Sequence, residues 1–116
     1  MTPAEAAALL TIAAAFDNRK PDADQARAWA MALDGLRFED CREAIVSHYR
    51  VSGDWMMPHH VTGAVKKLRA ARITAFGPIK PPANIDPDHP AAIQRWEVDA
   101  RRAIADGEAV KPAPAP

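Results

Sequence analysis

Apolar side chains recur at helical spacing in five stretches of the chain. In the first, Leu9, Leu10, Ile12, Ala13 and Phe16 share one face. Thr2 stands where an N-cap belongs, Pro3 suits the first helical position, and Glu5 completes a capping box. The pattern predicts a helix over residues 3–16, ended by Asp17-Asn18 and Pro21. A second helix over 23–34 is predicted by Asp22 as cap, by Ala26, Trp29, Ala30 and Leu33 at helical spacing, and by Gly35 as a stop. A third covers 38–51, with Glu39 and Asp40 in its first turn and a stripe of Cys41, Ala44, Ile45, His48 and Tyr49. Residues 54–57 form a short loop containing Trp55. Pro58 opens a fourth helix to about residue 73, with Val61, Ala64, Val65 and Leu68 inward.

The pattern breaks after Phe76-Gly77-Pro78. Pro78, Pro81, Pro82, Pro87 and Pro90 predict an extended linker. A last helix, capped by Asp88, follows over about 90–105, with Ile93, Trp96, Ala100, Ala103 and Ile104 along one narrow seam. The expected fold class is all-α: a compact four-helix N-terminal domain over 1–76, a Pro-rich linker over 77–89, one C-terminal amphipathic interaction helix within 90–107, and a disordered tail over 108–116. A helix as short as the last does not persist unpacked in water. It must dock, pair with another copy, or fold onto a partner.

The 116 residues suffice for one domain and a tail. Fifteen acidic and fifteen basic residues balance, so any pull towards nucleic acid is local. One stretch qualifies: residues 58–80 hold Lys66, Lys67, Arg69, Arg72 and Lys80 and no acid. Lys66, Lys67, Arg69 and Arg72 are candidates for contacting phosphate or an acidic partner. The competing reading is a solvated helix end whose cations complement the helix dipole.

Chemistry is sparse. The five glycines are isolated and build no phosphate loop, so no nucleotide or other cofactor is expected. Cys41 and His48 are two helical turns apart, about 10 Å, too far to share an ion. His59 and His60 are adjacent and diverge on a helix, so no metal site is expected. Cys41 lies on an apolar face, where a thiol is inert. The lone cysteine gives no disulfide framework, and the N-terminal apolar stretch lacks a basic leader and carries Glu5. A cytoplasmic, non-enzymatic protein without membrane contact is expected. Among the large anchors, Trp29 reads as core. Trp55 either plugs the gap between the third and fourth helices or stands exposed as an interface anchor. Trp96 is the foremost candidate hot spot if solvent reaches it.

The order of these pieces resembles a known family. LLTIAAAFDNRKPDADQARAWAMAL holds an aromatic-ended first helix and a second helix with Ala28-Trp29 followed at four residues by Leu33. The third helix follows as LRFEDCREAIVSHYR, and a Pro-led fourth as PHHVTGAVKKL. Over roughly residues 6–72, about three fifths of the chain, this is similar to the small loader/inhibitor proteins of phage replicative helicases and related short actinobacterial phage and prophage proteins. The resemblance implies a non-ATPase protein with a helical N-terminal domain and a C-terminal region that contacts a hexameric replicative helicase, loading or inhibiting it during DNA replication. It implies partner binding through Ile93, Trp96, Ala100 and Ile104, by layout only, since the linker and last helix carry no alignable motif. Trp55 is added from its own chemistry. Two other readings stay open: a DNA-binding helix-turn-helix regulator using helix 58–73, and a homo-oligomer built through the C-terminal helix.

Overall fold

The computed structural model describes residues 1–110. Among them the chain is all-helical, in the order α1 (Pro3–Asp17), α2 (Ala23–Ala32), α3 (Phe38–Val51), α4 (Pro58–Phe76) and α5 (Pro90–Ala105). It divides into two compact units, Met1–Lys67 and Leu68–Pro116, so the division falls inside α4 and not at residue 76 as the sequence suggests. The predicted disordered tail lies outside the described residues from 111 onward.

In the first unit, α1 starts as its sequence dictates. The Thr2 hydroxyl accepts the Glu5 N–H at 3.1 Å, and Glu5 accepts the Thr2 N–H at 3.0 Å. The helix packs against both α2 and α3. The core is Ala6, Leu9, Leu10 and Ala13 from α1; Ala26, Trp29, Ala30 and Leu33 around α2; Cys41, Ala44 and Ile45 from α3; and Val61 and Val65 from α4. So many alanines bring helices close while contributing little side-chain volume. Met56 is the one core residue from the α3–α4 connection, 1 % exposed. Phe16, expected on the inner face of α1, is instead 50 % exposed.

The second unit joins the last turns of α4 to α5. The expected extended linker is folded into two hydrogen-bonded turns, Ile85 N–H to Pro82 O at 3.2 Å and His89 N–H to Asp86 O at 3.0 Å. Asp88 does not cap α5. Pro90 fixes the first helical position, which makes His89 the N-cap, with no side-chain capping bond. At the other end, Gly107 turns left-handed at φ 74°, Glu108 N–H reaches Ala103 O at 2.8 Å, and Gly107 N–H reaches Ile104 O at 3.0 Å. This double closure satisfies the last carbonyls of α5 and holds Glu108, which the sequence had assigned to the tail.

Candidate functional site

A corner of the first unit concentrates charge, aromatic surface and buried hydrogen bonds. Its foundation is the turn after α1. Asn18 adopts the left-handed conformation at φ 60°, which asparagine tolerates well, and its N–H closes on Ala14 O at 2.9 Å. That turn folds Arg19 back onto Asp17. The Asp17 carboxylate accepts the Arg19 backbone N–H at 3.1 Å and the Nε–H at 2.9 and 3.0 Å, and it pairs with Nη2 at 2.5 Å. The two side chains are only 1 % and 5 % exposed, so this ion pair is buried.

The pair then reaches across the fold. Arg19 Nη2 donates to the Met56 carbonyl at 2.8 Å. The Tyr49 hydroxyl, from the last turn of α3, donates to Asp17 and accepts the Met56 N–H at 2.9 Å. Both backbone groups of Met56 are thereby tied to side chains of distant elements. Burial opposes ionisation of Asp17, but hydrogen bonds from Arg19 and Tyr49, with the Arg19 charge, outweigh it and hold the carboxyl down at about 2. Burial and the bond to Asp17 push the Tyr49 phenol up, so it stays protonated and able to donate.

This clamp presents Trp55. With Met56 drawn inward, its neighbour is turned out and is 56 % exposed, so Met56 rather than Trp55 is the buried residue of the connection. The Arg19 guanidinium lies over the Trp55 ring at 5.0 Å and over buried Trp29 at 5.3 Å. Beside it, Phe16 stacks on Tyr49 at 5.1 Å, and Tyr49 meets the His48 ring edge-on at 4.7 Å. Met57, 45 % exposed, extends the surface towards an open hollow of about 500 Å³ lined by Ala32, Met57, Pro58, His59 and Thr62. Sequence reasoning found Trp55 but missed Phe16, Asp17, Arg19 and Tyr49. The available signal was an Asp-Asn-Arg run at a helix end, where a left-handed turn returns the arginine to the aspartate.

The C-terminal candidates stand differently. Ala100 and Ile104 are 3 % and 5 % exposed, while Ile93 and Trp96 are partly buried. The seam expected to reach out is thus covered over its C-terminal half. The basic group also divides. Lys66 and Lys67 are exposed, whereas Arg69 is ion-paired with Asp106 and Arg72 Nη1 donates to Ala105 O at 2.8 Å. Arg69 and Arg72 hold the end of α5 and do not form an open cationic face. The cause is local: the turn at Gly107 leaves Asp106 and the Ala105 carbonyl facing arginines spaced one α4 turn apart.

Burial, with the nearby Asp40 charge, pushes the Cys41 thiol up to about 11, which keeps it protonated and unreactive. Among the described residues no group of three or more His, Cys, Asp or Glu side chains is placed to hold a metal ion, and no helix is long and apolar enough to cross a membrane. No family model matches this chain, and no curated protein or solved structure matches it either.

Proposed function

We propose that this protein is a non-catalytic adaptor that docks on another protein through Trp55 and the surface around it. The partner, a hexameric replicative DNA helicase in the cytoplasm that the adaptor loads or holds inactive, is taken from the resemblance drawn from the sequence; that resemblance implies contact through the C-terminal region, and exposed Trp55 is preferred here over the covered seam of α5. One observation carries the reading: a large aromatic side chain stands more than half exposed while its backbone neighbour is fastened by a buried ion pair and a phenol. Exposed tryptophan is favoured at the centres of interfaces. A rigid mount lowers the ordering cost of binding, because the loop is already fixed before the partner arrives. Phe16, Met57 and the hollow beside Met57 supply apolar area around the anchor. In this layout the interaction surface belongs to the helical N-terminal region, and α5 serves its own unit. A pull-down with the cognate helicase, comparing the full chain with Trp55→Ala, tests this; equal capture of both would contradict it.

The second reading, a helix-turn-helix regulator with helix 58–73 in the major groove, draws support from exposed Lys66 and Lys67. Against it, the α3–α4 connection spans residues 52–57, longer than the three or four residues usual for that motif, and Arg69 and Arg72 are engaged elsewhere. A gel shift at two salt concentrations separates the readings. A regulator gives a sequence-specific complex with a steep salt dependence, and the adaptor does not.

A further inference from the structure

The loop that carries Trp55 is also fastened by two imidazoles, and they act with opposite polarity. His48 Nε2 meets the Asp54 carbonyl at 2.6 Å, so that nitrogen carries a proton and donates. His60 does the reverse. Its Nδ1 lies 2.9 Å from the Met57 N–H, so it accepts and bears no proton. His60 occupies the third position of α4, where glutamate or glutamine reaches back to the cap residue in a capping box. Met57 has no polar side chain to cap the helix itself, so the imidazole supplies that arm alone.

We propose that His60 is a proton-operated latch on the Trp55 loop, closed when the imidazole is neutral and opened by acid. Protonation places a second hydrogen on Nδ1, directly opposite the Met57 N–H, so acceptor becomes donor and the bond is lost. The new charge sits at the positive end of α4. It also lies among other imidazoles, with the His59 ring 3.9 Å away on the same helix and the His48 ring 6.2 Å away on α3. No carboxylate pairs with His60 among the described residues. His48 keeps its bond in either state, because a donor remains a donor.

The consequence for partner binding rests on the docking reading above; the latch itself does not. Amide exchange of Met57 in the full chain, referred to the intrinsic rate at each pH, tests it between about pH 7.5 and about pH 5.5. Protection in the native chain should fall roughly fivefold to tenfold on acidification, the loss of one hydrogen bond. His60→Gln keeps an acceptor that does not titrate, and should hold protection at both pH values. His60→Ala should show low protection at both. Unchanged protection in the native chain, or a full pH response in His60→Gln, overturns the proposal. Helicase affinity measured at the same two pH values separates the two ideas. Protection that responds while affinity does not supports the latch and overturns its link to docking.

Discussion

Trp55 and Trp96 are both bulky anchors, with Trp96 the stronger candidate from sequence, and the structure treats them in opposite ways. Trp55 sits in an irregular connection yet is held outward, because the next residue is pinned by Arg19 and Tyr49. Trp96 sits on a regular amphipathic helix and is partly buried, on a seam whose later members Ala100 and Ile104 are covered. Its indole N–H is buried and has no hydrogen-bond partner among the described residues. The difference teaches that an anchor is made available by what restrains its backbone. An apolar stripe at helical period closes on whatever lies nearest, while a tryptophan beside a clamped backbone cannot fold inward.

The comparison breaks first at the clamp. Arg19→Ala leaves the Asp17 carboxylate buried without its cation, and should cost about 3–5 kcal/mol in a denaturant titration. A loss below about 1 kcal/mol would mean the pair does not fasten the corner. The second unit is tested by Ile104→Ala, which opens a cavity under α5 and should cost about 2–4 kcal/mol, read as faster amide exchange along that helix. Unchanged exchange there would show that the seam is free after all. Trp55→Ala should leave stability nearly intact, since the ring is half exposed, but weaken binding to the proposed helicase partner by about 2 kcal/mol, roughly thirtyfold, in calorimetry.

The clamp also sets an acid sensitivity. Asp17 is held at about 2, below its ordinary 3.8, so its contribution is full above about pH 4 and is lost as the pH falls through about 2. Stability measured against pH should show this step in the native chain, and Asp17→Asn should lack it.

Much of the helical framework was legible because each start signal is chemical and local. Thr2 and Glu5, Asp22, and Pro58 open their helices where the sequence says they should. Periodicity also placed Leu9, Trp29, Ile45 and Val61 in the core. What it could not give was the competition between neighbours. At residues 55–57, three bulky apolar side chains follow one another with no period, and only the hydrogen bonds from Arg19 and Tyr49 decide that Met56 goes in and Trp55 stays out. Those bonds join residues 37 and 7 positions apart, a relation no local pattern carries. Arg69 and Arg72 misled for the same reason. Their partners, Asp106 and Ala105, lie beyond a proline-rich stretch that reads as a separator and is folded into turns.

Labelling the three tryptophans of the full chain with 5-fluorotryptophan and recording fluorine spectra with and without the proposed helicase partner tests the docking claim most directly. The resonance of Trp55 should shift or broaden on addition of the helicase, with those of Trp29 and Trp96 left in place. Movement of the Trp96 resonance with Trp55 unaffected would contradict the account and return the interface to α5.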